Sequence, residues 1–556
     1  MDSVRVFAAL VLAVSSFLLV EAWMSEQGIR DEPVDNQGLA TTRGTTGGDE
    51  IPRVSVPLEA ETTVEENVPP KPTLGGLSDG KKVSIKTDYL LVTINTVGPE
   101  IERIELLQHP SKEKKDQNFV VLEKTNQRLY TAQIGLIGDR LPNHKDGFTT
   151  EREEYFLRDD QDRLEVRFKS EKNGVTVYQT YHFQRKSYVI DIKTEIINNR
   201  SELLKAHAYY QFLRDDSNPS GTSKMLPTYT GAAVFTEESK YKKVDFGDIK
   251  KGSKKYPHKG NDGWIAIIQH YFLGAWLPMD GEPREYFTRM SKSGLFSVGV
   301  ILPVPNVPSF SKGEVKNRLY VGPQDQDNLS KLSNGLNLTV DYGWLHIIAA
   351  PLFKLLKWIN SYVGNWGWSI VVLTIIIKLL FYPLSAASYR SMARMRVVAP
   401  KLQKLKELYG DDKQRMQKEM MSLYKNEQIN PLGGCLPILV QIPVFIALYW
   451  VLLASVELRY APFILWIDDL SAKDPLYVLP VLMGLSMIIQ TRLNPTPPDP
   501  VQAKIMKIMP IVFSVFFFFF PAGLVLYWLA NNILSIAQQW KITSAIEGKT
   551  GPNVSK

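Results

Sequence analysis

The chain has 556 residues, a single cysteine and a formal net charge of +7 at pH 7. That length is too great for one ordinary domain, and the lone thiol of Cys435 excludes an internal disulfide framework and a cysteine-rich metal centre. Much of the basic excess lies beside apolar runs, so it reads as a membrane-topology signal, and no nucleic-acid sequence recognition is expected. The mean hydropathy of −0.13 averages two unlike parts, polar from about 25 to 344 and dominated by apolar runs beyond.

Residues 1–23 carry Arg5, then an apolar run from Val6 to Val20 that ends at Glu21-Ala22-Trp23. No small-x-small cleavage pattern follows. The segment reads as an uncleaved signal-anchor with its amino end in the cytoplasm, the alternative being a cleaved signal peptide. Residues 24–80 lack Phe, Tyr and Trp and are rich in Gly, Pro, Thr and Glu, the composition of a flexible tether. From 81 to 344 the pattern turns to period-two alternation. Val177, Gln179, Tyr181 and Phe183 point one way, with Tyr178, Thr180 and His182 opposite. Similar runs recur at Val83–Ile94, Tyr188–Ile197, Trp264–Leu277 and Gly294–Leu302. Strands repeated over this length predict a large antiparallel sandwich.

Residues 345–363 place Leu352, Leu355, Leu356, Ile359 and Tyr362 on one face and Lys354, Lys357 and Asn360 on the other, the spacing of an amphipathic helix in a membrane interface. Five core spans are expected, at 364–383, 432–454, 476–491, 505–520 and 523–540, the last two joined tightly at Pro521-Ala522-Gly523. Between the first two, 384–431 holds ten Lys or Arg against five acidic residues, whereas the loop at 455–475 holds Arg459 and Lys473 against four acids. The positive-inside rule puts the first loop, 492–504 and the tail 541–556 in the cytoplasm and 455–475 outside, so both termini lie inside. Within 384–431, Met395, Val398, Leu402, Leu405 and Tyr409, then Met416, Met420 and Leu423, step by three and four; this predicts a helical hairpin. The fold class is thus a mixed membrane protein: an amino-terminal anchor, a β-sandwich outside, and a five-span helical core with a cytoplasmic hairpin.

One residue contradicts the apolar pattern. Lys378 sits between Ile377 and Leu379 in the first core span, one turn after Thr374. A Lys at the centre of a span costs about 2.5–3.5 kcal/mol on insertion scales, so a functional role and snorkelling to the headgroups are the two readings. No core span contains Asp or Glu to pair with it. Gln441, Gln490, Tyr527, Asn531, Asn532 and Ser535 add polar groups, read either as interhelical glue or as the walls of a wet groove open to the cytoplasm. Five methionines fall on the hairpin, among them Met392, Met395, Met416 and Met420, and suit either a seam or a surface that accepts many apolar sequences. Gly548-Lys549-Thr550 is no phosphate loop, because the glycine required five positions earlier is Thr543. No metal, cofactor or nucleophile–base pair is indicated. A secondary transporter is the rival reading, though the core spans show no evident repeat and no coupling carboxylate.

Four strings then carry a resemblance: Tyr382-Pro383-Leu384, Asn430-Pro431-Leu432-Gly433-Gly434-Cys435-Leu436-Pro437, Ser455-Val456-Glu457-Leu458-Arg459, and Phe520-Pro521-Ala522-Gly523-Leu524-Val525-Leu526-Tyr527-Trp528. With them the chain resembles the YidC/Oxa/Alb family of membrane insertases, in its Gram-negative form with a large periplasmic β-supersandwich. The resemblance implies a non-enzymatic insertase and chaperone of the bacterial inner membrane. Its implied partners are nascent membrane proteins, the Sec translocon and its accessory SecDF, the ribosome and signal-recognition pathway, and membrane lipids. It implies that Lys378 stands at the family's groove arginine, that Trp528 replaces a second tyrosine beside Tyr527, and that Thr374 and Gln441 are groove positions; Asn531 joins them as a candidate on its polarity within a span. The hairpin methionines would receive the client.

Overall fold

Period-two burial organises the chain between residues 82 and 323, where strand after strand hides alternate side chains. The computed structural model describes residues 51–54, 80–111, 116–217, 219, 228–252, 255–409, 412–427, 436–494 and 500–547. The anchor expected at 1–23, nearly all of the tether, the string at 430–435 and the end of the tail lie outside the described residues. Among the described residues, 51–347 and 450–459 form one compact unit, and 348–449 with 460–547 form another.

In the first unit ten strands make one sheet, in the order Lys259–Gly260, Arg284–Met290, Phe296–Pro303, His207–Arg214, Leu129–Ile137, Asn118–Lys124, Ile101–Pro110, Leu90–Asn95, Lys82–Lys86 and Glu154–Phe156. Eight make a second: Lys240–Val244, Thr230–Thr236, Trp264–Gln269, Phe272–Leu277, Lys312–Pro323, Val189–Asn198, Val175–Gln184 and Arg163–Lys172. All ladders are antiparallel except one, since Lys82–Lys86 and Glu154–Phe156 pair in parallel. Two runs expected as single strands are hairpins. The first breaks where Thr87 Oγ1 accepts from the Leu90 N–H at 2.9 Å. The second turns at His270-Tyr271, with His270 at φ 44°. Across each turn the set on a given face changes parity, from Val83 and Ile85 to Leu90, Val92 and Ile94, and from Trp264 and Ala266 to Leu273 and Ala275.

Trp264–Gln269 and Phe272–Leu277 are buried along their whole length. One face looks into the sandwich. On the other, Trp264, Ala266, Leu273 and Ala275 form a second apolar cluster with Leu329 and Leu336, the first of these on a short helix, Gln326–Leu332. Covering both faces explains continuous apolar runs in an antiparallel sheet. The segment Trp450–Arg459 belongs to this unit, and Val456 enters its main core cluster.

The second unit is helical. We number as α1 and α2 the short helices Phe246–Lys250 and Gln326–Leu332 of the first unit, then α3 (His346–Val363), α4 (Trp366–Leu380), α5 (Tyr382–Tyr409), α6 (Lys413–Asn426), α7 (Leu436–Ala454), α8 (Val478–Leu493), α9 (Pro500–Phe517) and α10 (Ala522–Glu547). In α3 the buried apolar residues are Ala349, Phe353, Leu356 and Ile359, while Tyr362, expected on that stripe, is exposed. In α4 Asn365 caps the first turn by accepting from the Trp368 N–H at 3.1 Å. The buried residues of α4 are Gly367, Ser369, Ile370, Leu373, Thr374, Ile377 and Lys378, which recur every three or four positions and so put Lys378 on the face turned away from solvent.

Helix α4 ends at Leu380, close to the Pro383 bound expected of the first core span. The helix breaks at Phe381 and resumes as α5 with Pro383 in its first turn, where a missing N–H costs nothing. No single described helix is both long and apolar enough to cross a membrane; α4 and Tyr382–Met395 together are, across a 68° bend, and Val440–Ala454 and Val478–Leu493 are shorter apolar helices.

Candidate functional site

The helical unit holds a partly open cavity of about 280 Å³. Helix α4 contributes Lys378; α5 contributes Ser385, Ser388, Tyr389 and Met392; α7 contributes Gln441, Ile442 and Phe445. Helix α8 and its end supply Met487, Gln490 and Asn494, and α10 supplies Tyr527, Trp528, Asn531, Asn532, Ser535 and Gln539. These residues converge because each helix repeats them at helical spacing: 385, 388, 389 and 392 form one stripe of α5, and 528, 531, 535 and 539 one stripe of α10.

Among the described residues, Lys378 is the only charged side chain of the lining. It is 5% exposed, and its Nζ donates to Ser535 Oγ at 2.7 Å. Gln441 Nε2 donates to Asn531 Oδ1 at 2.7 Å, joining α7 to α10. Asn532 Nδ2 donates to Ser486 Oγ at 3.1 Å, and Gln539 Nε2 to Asn494 Oδ1 at 3.0 Å; these two bonds tie α10 to α8. The indole N–H of Trp528 is buried without a partner among the described residues.

The two ends of the cavity differ in chemistry. At one end the lining residues alternate with exposed cations: Arg390 follows Tyr389, Arg492 lies between Gln490 and Asn494, and Lys541 follows Gln539 by two. At the other, rings close the space. Phe445 lies over Tyr527 at 6.1 Å and meets Trp528 edge-on at 4.4 Å; Trp528 touches Phe517 at 5.6 Å, and Tyr449 touches Phe520 at 6.1 Å. Aromatic packing of this kind adds about 0.5–1.5 kcal/mol per pair beyond area burial.

Of the residues expected at a groove, Lys378, Gln441, Tyr527, Trp528 and Asn531 line the cavity. Thr374 does not: it is 1% exposed and its hydroxyl donates to the Ile370 carbonyl at 2.7 Å. Met392 lines the cavity instead of the hairpin surface. Met395, Met416 and Met420 are half-buried on α5 and α6, while Met421 is exposed. Sequence reasoning missed Ser385, Ser388 and Tyr389. The signal was their spacing with Met392, concealed by ending the span at Pro383. Asp474, on the expected outer loop, is buried; it accepts from the Leu479 N–H at 2.7 Å and from the Trp466 indole at 2.9 Å, fixing the start of α8.

Two family models match the chain, the YidC periplasmic domain over residues 82–355 and the 60Kd inner membrane protein over 358–549. The membrane protein insertase YidC of Nitrosospira multiformis is 51% identical, across 100% of this chain and 99% of its own. That of Aromatoleum aromaticum is 48% identical, across 99% of each. A crystal structure of an active YidC insertase with its first transmembrane domain resolved aligns with a TM-score of 0.40 at 17% identity, covering 83% of this chain and 92% of that one.

Proposed function

Since the chain belongs to the YidC family of membrane protein insertases, inner-membrane proteins with a periplasmic domain, we propose that it inserts its clients through the cavity around Lys378. The observation that carries this reading is a buried ammonium that is the one charged group among the described lining residues, in a cavity where hydroxyl and amide side chains from four helices meet the rings of Phe445, Tyr527 and Trp528.

The positive-inside rule assigns the basic end to the cytoplasm, so the cavity faces the side from which a nascent chain arrives. Six spans cross the membrane in this reading, the anchor at 1–23 and core spans at 364–383, 432–454, 476–491, 505–520 and 523–540, with both termini in the cytoplasm. The α5–α6 hairpin receives the apolar segment, and Met392 sits where the hairpin opens onto the cavity. The polar flank of the client then enters among Lys378, Gln441, Asn531 and water. Those groups replace bulk hydration and so reduce the several-kcal/mol cost of taking peptide groups through hydrocarbon. The membrane potential contributes about 2.3 kcal/mol per charge per 100 mV to an acidic flank moving outward. No covalent step is required, and the described lining residues hold no carboxylate of the kind that couples transport to protons or sodium. The Sec translocon with SecDF, the ribosome and the signal-recognition pathway are proposed partners.

A photo-crosslinking side chain at 392 or 445, in membranes supplied with a stalled nascent membrane protein, tests the path. Adducts to the client are expected at both positions, and none at exposed Leu380 on the far face of α4. Equal capture at 380 would contradict entry through the cavity.

A further inference from the structure

Ser535 has a bonding pattern that ordinary interhelical glue does not need. Its hydroxyl donates to the carbonyl of Asn531, four residues back on α10, at 2.8 Å. A hydroxyl has one hydrogen, so that bond commits it, and only the oxygen lone pairs remain to face outward. Lys378 Nζ takes one of them at 2.7 Å. Both side chains are nearly enclosed, at 4% and 5% exposure, and none of the described lining residues is a carboxylate.

A lysine stem has many rotamers, and its ammonium is a compact charge without the preorganised fork of a guanidinium. Left alone, such a charge would sample the cavity or withdraw toward the basic end. We propose that Ser535 is the positioning residue of the groove: it fixes the Lys378 ammonium beside Asn531 and Gln441, where the two remaining N–H groups meet the carboxylates of an acidic client flank. This inference rests on the charged-groove reading above. It assigns to this lysine-bearing cavity a partner residue on a different helix, 157 positions away.

The test uses the full chain in proteoliposomes of fixed lipid composition. Two versions of one single-span client are supplied, one with an acidic translocated flank and one with Asn and Gln in place of the acids. Ser535→Ala and Ser535→Cys remove the acceptor, the second at nearly unchanged volume, whereas Ser535→Thr keeps it. We expect Ala and Cys to slow the acidic client about three- to tenfold, to leave the neutral client within about twofold, and Thr to restore the wild-type rate. In a Lys378→Ala background, Ser535→Ala should add nothing, because a residue that acts only through Lys378 has no further effect once it is gone. If Ser535→Ala slows both clients alike, or adds its loss to that of Lys378→Ala, Ser535 is structural glue and the proposal is overturned. If Lys378→Ala slows the acidic client but neither Ser535→Ala nor Ser535→Cys does, the groove reading stands and this inference fails. If Lys378→Ala inserts the acidic client at the wild-type rate, both fail together. Thermal midpoints of the purified variants accompany each rate, and the Cys–Thr pair decides if the Ala variant does not fold.

Discussion

Gln441 and Asn531 lie 90 positions apart, yet their amides meet at 2.7 Å across α7 and α10 inside the polar cavity. The bond makes the two residues one unit, with consequences for stability and for insertion that can be separated.

Gln441→Leu leaves the Asn531 amide oxygen without its donor, at a cost of about 1–3 kcal/mol, and Asn531→Leu does the same to Gln441. The double variant should recover much of that loss, since two apolar side chains replace both partners. Insertion should not recover, because the cavity has become drier. Thermal midpoints and client insertion measured on all three variants check this split. Parallel recovery of both quantities would assign the pair to packing alone.

Arg459 organises the β unit in a way its position in an apparent loop does not announce. Its Nη2 donates to the Pro110 carbonyl at 2.6 Å, and its guanidinium lies 5.1 Å from the rings of both Phe119 and Phe272, which stack at 4.1 Å. Arg459→Met should destabilise that unit by about 2–4 kcal/mol, and Arg459→Lys should restore little, because an ammonium lacks the flat face and fork. Hydrogen exchange of peptides covering 101–124 and 272–277 is the readout; unchanged protection in Arg459→Met would contradict the role.

His109 gives the same unit a pH dependence. It packs edge-on to Phe272 at 5.4 Å and near Tyr188 at 6.0 Å, and burial, then the nearby Arg459 charge, hold its pKa down from 6.5 to about 4. The folded state therefore stays neutral where the unfolded state takes up a proton. Its contribution is fully present above about 6.5 and declines as pH falls toward 4. The exchange protection of 101–124 should drop across that window, and less so in His109→Phe. An identical slope in the variant would assign the effect to other groups, His207 among them, whose pKa burial also lowers.

Much of this architecture was legible in the residues. Alternation located the strands, and a lone Lys in an apolar run marked the cavity. What stayed hidden depends on contacts distant in sequence. The two hairpins read as unbroken runs because neither turn, at 87–89 or at His270-Tyr271, carries the Gly or Pro that punctuates a chain. Ser385, Ser388 and Tyr389 were passed over, and Met392 was assigned to the hairpin, because Pro383 looked like a stop, although proline is tolerated in a first helical turn. Ser535 gave no signal as the partner of Lys378, since hydroxyls are common in apolar helices and only the packing of α4 on α10 brings these two together. Thr374 shows the opposite limit: one turn from Lys378, it spends its hydroxyl on its own helix.

The most direct test of the central claim is the insertion of an acidic-flanked single-span client by proteoliposomes carrying Lys378 as wild type, Arg, Ala or Glu. A charged groove predicts that Arg retains insertion, Ala loses most of it and Glu loses more, with a neutral-flanked client much less affected. Should Lys378→Ala insert the acidic client as fast as wild type, the ammonium is a bystander, and insertion through this cavity would rest on its polarity alone.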